Sequence, residues 1–67
     1  MTPEERKTLR DAVEKIRDDE FFESSLARQV KNNGLSYDDY IRLISDVRDL
    51  AKEKGLSLAD AAKQLSS

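Results

Sequence analysis

The sequence predicts an all-α fold: a compact bundle of four helices, irregular or orthogonal, with a short last helix. Residues 34–39 and 55–60 follow one pattern, in which glycine, leucine and serine are followed by an acid three residues after the serine. Glycine closes a helix in the left-handed backbone conformation, and serine accepts a hydrogen bond from a free amide of the next helix. Between these signals apolar residues recur at helical spacing, and no segment has the sustained alternation typical of a strand.

Length and composition predict one small domain over residues 1–67. A chain of 67 residues buries a modest core, and this one has no cysteine for a disulfide and no histidine for a conventional zinc site. Its net charge of −2 does not favour nucleic-acid binding. No apolar run is long enough for a membrane span or a signal peptide, so we expect a soluble protein, cytoplasmic if natural or recombinant, of otherwise unknown location.

The first helix is predicted over residues 3–18. Thr2 is a good N-cap, Pro3 suits the first helical position, and Glu5 stands three residues after the cap, as in a capping box. The apolar residues that follow have the spacing i, i+3, i+4, i+7: Leu9, Ala12, Val13 and Ile16. One face of this helix is therefore expected to face the core.

The second helix is predicted over residues 20–32. Its apolar stripe consists of Phe22, Leu26 and Val30, widened by Phe21 and Ala27. Asp18 or Asp19 is expected to cap its N-terminus, since aspartate is a favoured N-cap residue. The run Asn32-Asn33-Gly34 predicts a clear stop because asparagine and glycine accept positive φ angles.

The third helix, over residues 37–54, is the longest, and the fourth, over residues 58–66, is short. Apolar residues cover nearly half of the third helix, which predicts contacts with two or more neighbours. Leu35 and Leu56 precede the serine caps as hydrophobic staples, which are expected to reach Tyr40 and Ala61. Short connections place sequential helices side by side, and we expect the last helix to cross the others at a steep angle.

These stripes predict one shared core. Its expected members are Leu9, Val13, Ile16, Phe22, Leu26, Val30, Leu35, Tyr40, Ile41, Ile44, Val47, Leu50, Leu56, Leu58, Ala62 and Leu65. An isolated helix as short as the fourth is largely unfolded in water, so its docking through the apolar face is expected to hold it in place.

Catalytic chemistry is not expected. The chain has no histidine or cysteine, and Ser36 and Ser57 are explained as caps. The pairs Asp18-Asp19 and Asp38-Asp39 could serve acid–base chemistry, but neighbours in a helix point in different directions, and acids are favourable where helices begin. We therefore expect no enzyme activity and no catalytic, cofactor-binding or metal-binding residue.

Two segments bear on DNA binding. Residues 56–65 resemble the first helix of a helix-turn-helix motif, whose recognition helix would have to follow Ser67. Residues 26–36 resemble the same motif, with a spacing between Ala27 and Gly34 about one helical turn longer than usual. The helix that would read bases then carries four aspartates against two arginines, which disfavours phosphate binding.

A surface for a protein partner is a further possibility. Residues 34–44, Gly-Leu-Ser-Tyr-Asp-Asp-Tyr-Ile-Arg-Leu-Ile, are similar to a turn-and-helix segment of bacterial three-helix albumin-binding modules. Tyr37 and Phe21 are the aromatic residues expected to be partly exposed, and aromatic residues are enriched at binding hot spots. The alternative is that both pack at the rim of the core, since scattered apolar side chains are normal on surfaces.

Taken as a whole, the chain resembles a computationally designed helical mini-protein. The opening Met1-Thr2-Pro3-Glu4-Glu5, a cap at each helix border and a surface of charged helix formers carry this resemblance. It implies a monomeric fold with no biological activity, no cofactor and no expected partner. The alternatives are a small protein–protein interaction module that uses the third helix and, less favoured, a minimal DNA-binding domain.

Overall fold

A computed structural model describes residues 1–15 and 19–67, and four α-helices form its framework. They are α1 (Pro3–Lys15), α2 (Phe22–Asn32), α3 (Tyr37–Lys54) and α4 (Leu58–Leu65). A 3-10 turn, Asp19–Phe21, leads into α2, and no strand occurs among the described residues. The predicted all-α bundle of four helices with a short last helix is confirmed.

Helix α1 begins where the sequence predicts. The Glu5 amide donates to the Thr2 hydroxyl at 3.2 Å, and the Thr2 amide donates to the Glu5 carboxylate at 3.1 Å, so both halves of the capping box form. The helix is described as far as Lys15. The rest of the predicted helix, residues 16–18, lies outside the described residues, and so does the predicted core residue Ile16.

The start of α2 differs from the prediction. Its N-cap is Phe21, which makes no side-chain capping bond, so Asp19 is not the cap. Asp18, the other predicted cap, lies outside the described residues. The 3-10 turn over Asp19–Phe21 explains the shift, because its tighter i→i+3 hydrogen bonds engage backbone groups before the α-helix begins at Phe22.

The two Gly-Leu-Ser segments form two helix corners: the first corner is residues 34–36 and the second corner is residues 55–57. Gly34 and Gly55 have φ angles of 75° and 65°, in the left-handed region that favours glycine. After each glycine, the leucine amide donates back to a carbonyl of the helix just ended, from Leu35 to Val30 and from Leu56 to Ala51. The predicted stops are therefore confirmed.

Both predicted serine caps are also confirmed. The Ser36 hydroxyl accepts from the Asp39 amide at 3.2 Å, and the Ser57 hydroxyl accepts from the Asp60 amide at 3.1 Å. Ser36 forms a full capping box, since the Asp39 carboxylate accepts from the Ser36 amide at 2.9 Å. These bonds satisfy amides that a helix start leaves without a partner.

The helices pack as a ring of neighbours. Helices α1 and α3 lie diagonally, and each packs mainly on α2 and α4. The predicted side-by-side packing of sequential helices is confirmed, and the steep crossing of α4 stays a prediction. The buried apolar core consists of Leu9, Ala12, Phe22, Leu26, Val30, Leu43, Ile44, Val47, Ala51, Ala61 and Ala62.

One predicted core residue is wrong. Ile41 is 42 % exposed, whereas Leu43, absent from the predicted core, is completely buried. The two side chains lie roughly 200° apart around α3, at 100° per residue. The apolar stripe of α3 is so wide that its period does not reveal its centre, and the packing of α2 and α4 places that centre near Leu43 and Val47.

The other described members of the predicted core lie in it or against it. Val13, Leu35, Tyr40, Leu50, Leu56, Leu58 and Leu65 are half-buried and pack on the buried cluster. Burial of a large apolar side chain contributes about 1.5–3 kcal/mol, so the completely buried residues contribute most.

Polar contacts also join α1 to segments that are distant in sequence. The Asn33 side-chain amide donates to the Thr8 hydroxyl at 2.9 Å, and Thr8 in turn donates to the Glu4 carbonyl at 2.8 Å. The Arg10 guanidinium donates to the Ser66 carbonyl at 3.2 Å, which ties the end of α4 to α1. Throughout residues 1–15 and 19–67, every fully buried side-chain polar atom has a hydrogen-bond partner.

Candidate protein-binding groove

A shallow apolar groove runs between α2 and α3 at the first corner. Its volume is about 280 Å³, the size of one or two large apolar side chains. The described residues that line it are Ala27, Val30, Lys31, Leu35, Tyr37 and Tyr40. The groove is therefore built by the C-terminal half of α2, the corner leucine and the first turn of α3.

The α3 wall of the groove is aromatic and open to solvent. Tyr37 is 73 % exposed, while Tyr40 is half-buried, and their ring centroids lie 5.8 Å apart at a tilt of 35°. Ile41, one helical turn after Tyr37, continues this exposed apolar stripe along α3. Such a stripe beside a groove is suited to contact with another apolar surface.

The α2 wall of the groove is formed by smaller side chains than the α3 wall. Ala27 leaves space because its side chain is short, and Val30 forms the buried floor at 3 % exposure. Leu35, which the sequence predicts as a staple reaching Tyr40, lines the same groove as Tyr40. Both residues also pack on the buried core.

An ion pair between α2 and α3 lies near the groove. The Arg48 Nε donates to Glu23 Oε1 at 3.1 Å, and a second guanidinium nitrogen of Arg48 contacts the same oxygen. Burial raises the pKa of the Tyr40 hydroxyl, and the negative charge of Glu23 raises it further. Tyr40 therefore stays neutral at physiological pH and presents its ring as an apolar wall.

The first corner is held by the capping box and by a neighbouring cation. The Asp39 carboxylate accepts from the Ser36 amide and the Ser36 hydroxyl, and it pairs with Arg42. The hydrogen bond from the Ser36 amide is the largest cause that lowers the pKa of Asp39. The charged form of Asp39 is thereby favoured, and it stabilises the start of α3.

The two aromatic residues predicted to be exposed lie in different places. Tyr37 forms a wall of the groove, and Phe21, at 54 % exposure, lines a separate cavity of about 370 Å³ beside Lys15 and Arg28. The predicted exposure of both is confirmed. Sequence reasoning did not pick out Ala27 and Lys31 as groove residues, because their position beside α3 depends on the packing of the two helices.

Of the two acid pairs considered for chemistry, Asp38 and Asp39 lie in the first turn of α3, Asp19 lies in the 3-10 turn, and Asp18 lies outside the described residues. Asp38 is exposed, Asp39 is engaged in the capping box, and Asp46 and Asp49 are exposed farther along α3. Nowhere in residues 1–15 and 19–67 do three potential ligands group closely enough to hold a metal ion. The expectation that the chain has no catalytic, cofactor-binding or metal-binding residue stays a prediction.

Within the described part of the chain, no helix is both long and apolar enough to cross a bilayer. The chain matches no protein-family model, no curated protein and no solved structure.

Proposed function

We propose that the protein is a small protein-interaction domain that binds a partner through the groove between α2 and α3. The observation that carries this proposal is Tyr37, which is 73 % exposed on the wall of an apolar groove. The fold does not need this side chain for its core, and tyrosine is among the residues most enriched at binding hot spots. Ile41 extends the same surface along the long helix.

The charges of α3 support a protein partner over a nucleic acid. Helix α3 carries five acids, and of its four basic residues the two arginines are already engaged with carboxylates, which leaves Lys52 and Lys54. Nucleic-acid binding depends on free lysine and arginine side chains that neutralise phosphates. An apolar contact on a protein has no such requirement.

A second candidate is a designed fold without biological activity. It is supported by the agreement between local sequence and structure at both corners and by the satisfied polar atoms of the described core. The two candidates differ in what they predict for the groove. A binding domain requires Tyr37 and Ile41 for an interaction, and an inert fold requires them for none.

A selection of random peptides displayed on phage distinguishes these candidates. The bait proteins are the unmodified chain, the double variant Tyr37→Ser/Ile41→Ser and the control Phe21→Ser, which removes an exposed aromatic residue elsewhere. We expect peptides enriched on the unmodified chain to bind the Phe21 variant equally. Loss of Tyr37 and Ile41 should cost about 2 kcal/mol or more, roughly 30-fold in affinity by fluorescence anisotropy.

The fold of each variant is checked by thermal unfolding. Because Tyr37 and Ile41 are both exposed, the free energy of unfolding of the double variant is expected to lie within about 1 kcal/mol of that of the unmodified chain, about 0.5 kcal/mol for each site. Failure to enrich any peptide would contradict the proposal and favour the inert fold. Peptides that bind the double variant undiminished would place the interaction on another surface.

A further inference from the structure

The charge inside the groove points to the chemistry of its occupant. Lys31 is the one charged side chain among the described residues that line the groove, and it is exposed at the rim. The aliphatic stem of a lysine can extend an apolar wall while its ammonium group stays in water. A groove with this lining combines an apolar floor with a positive rim.

Nothing in residues 1–15 and 19–67 neutralises this ammonium group through an ion pair or hydrogen bond. The acids near the groove are engaged elsewhere: Glu23 pairs with Arg48, and Asp39 pairs with Arg42 and the Ser36 cap. Asp38 follows Tyr37 in sequence but does not line the groove. The positive charge of Lys31 is therefore available to an incoming carboxylate.

The charge of Lys31 is also not needed to cap α2. The last carbonyl groups of this helix already accept backbone amides: Val30 accepts from Leu35 at 2.9 Å, and Lys31 accepts from Gly34 at 3.2 Å. A lysine at a helix C-terminus often satisfies such carbonyls, but here the glycine corner does so. The charge of Lys31 interacts favourably with the dipole of α2 and stays available to a ligand in the groove.

We infer that the groove takes a segment of a partner protein in which a large apolar side chain is followed closely by an aspartate or glutamate. The apolar side chain lies over Val30 between Ala27 and Tyr40, and the carboxylate pairs with the Lys31 ammonium. The volume of about 280 Å³ suits one aromatic or aliphatic side chain and its neighbour. This inference rests on the proposed function and adds the charge of the partner.

Three small probes with one apolar skeleton test the inference: 3-phenylpropionate, 3-phenylpropanamide and 3-phenylpropylamine. Each is titrated into the unmodified chain, with the backbone amide resonances of Val30, Lys31 and Tyr37 followed by nuclear magnetic resonance. We expect the anion to bind about two- to fivefold more tightly than the neutral amide, and the cation to bind most weakly. The difference should shrink at high salt, because salt screens exposed charges.

Variants of Lys31 locate the effect. Lys31→Gln should make the anion and the amide bind equally, and Lys31→Glu should make the cation the tightest probe. Lys52→Glu is the matched control, since Lys52 is also an exposed lysine in the last turn of a helix, yet it does not line the groove. This control should keep the order of the unmodified chain.

The outcomes separate this inference from the proposed function. If all three probes bind the groove with equal affinity, the groove recognises only their apolar skeleton. That result, or tightest binding of the amine, would contradict the inference that the partner segment carries an acidic residue. If none of the probes perturbs the groove, the proposed binding function fails together with the inference. If Lys52→Glu abolishes the preference as Lys31→Glu does, the preference reflects net charge, and the role of Lys31 is overturned.

Discussion

The two corners share a local pattern and differ in what they do with it. Each has a left-handed glycine, a leucine that bonds back to the previous helix, and a serine that caps the next one. The residues at the first, fourth and fifth helical positions then differ: Tyr37, Tyr40 and Ile41 at the first corner, Leu58, Ala61 and Ala62 at the second. Ala61 and Ala62 are completely buried, whereas Tyr37 and Ile41 are exposed.

This difference separates two tasks of the sequence. The pattern of glycine, leucine and serine ends one helix and begins the next, whatever follows it. The side chains on the first turns of the new helix decide whether the corner closes onto the core or opens to water. At the second corner small residues allow α4 to dock closely, and at the first corner bulky residues border a groove.

The largest effects should come from the glycines. We expect Gly34→Ala and Gly55→Ala each to lower the free energy of unfolding by about 1–2 kcal/mol, since alanine is strained in the left-handed conformation. A Cβ atom at either position would meet nothing within 4 Å, so steric clashes add no difference between the corners. Denaturant titration of both variants measures the loss.

Asparagine is the control for these substitutions. Gly34→Asn and Gly55→Asn should lose less stability than the alanine variants, because asparagine tolerates the left-handed region. If the loss of unfolding free energy at one corner were several times that at the other, the two corners would not have equivalent backbones. The shared pattern would then not describe both corners.

The serine caps should have the next largest effect, with different consequences at the two corners. Ser57→Ala is expected to cost about 1 kcal/mol and to fray α4 first, because a helix of eight residues depends on its cap and its docking. Hydrogen exchange of the amides in residues 58–65 should accelerate. Ser57→Asp should restore protection, since aspartate is also a good N-cap.

Ser36→Ala should lower the free energy of unfolding about as much as Ser57→Ala does, but it should not fray the start of α3 locally. The Asp39 carboxylate still accepts from the backbone amide at position 36, and the 18 residues of α3 are anchored by Leu43 and Val47. The loss should therefore appear in global unfolding. Equal acceleration of exchange at both helix starts would contradict this contrast.

Sequence reasoning was sufficient where a few adjacent residues decide the structure. Both corners and the α1 cap were predicted because glycine, serine and threonine act on backbone groups within three residues of themselves. The start of α2 was not predicted correctly, because its N-cap Phe21 has no side-chain oxygen and a 3-10 turn precedes the helix instead of a side-chain cap. Local signals are reliable only where a residue with capping chemistry is present.

The groove could not be predicted from the sequence, because it depends on how two helices pack against each other. The period of α3 predicts an apolar stripe but not which edge of it faces α2, so Ile41 was assigned to the core and Lys31 was assigned to no site. The exposure of Tyr37 was expected from the sequence. That it stands beside Ala27 and Lys31 of another helix is a property of packing.

The smallest expected effect is a pH dependence confined to the first corner. Hydrogen bonds from Ser36 and the nearby Arg42 lower the pKa of Asp39 below its ordinary value of 3.8. A group whose pKa is lowered in the folded state contributes stability above its unfolded pKa and loses it as pH falls through the folded value. Stabilisation by Asp39 should therefore be complete above about pH 5 and disappear progressively in more acidic solution.

The titration of the Asp39 side-chain carboxyl carbon by nuclear magnetic resonance measures this directly, and its midpoint should fall below 3.8. Ser36→Ala keeps the backbone hydrogen bond, which is the largest cause, and Arg42→Gln keeps both Ser36 bonds, so each variant should raise the midpoint but leave it below 3.8. A midpoint at or above 3.8 in Arg42→Gln would mean that the guanidinium charge, and not the capping box, holds the carboxylate. The first corner would then depend on an ion pair that the second corner lacks among its described residues, and the shared local pattern would no longer explain both.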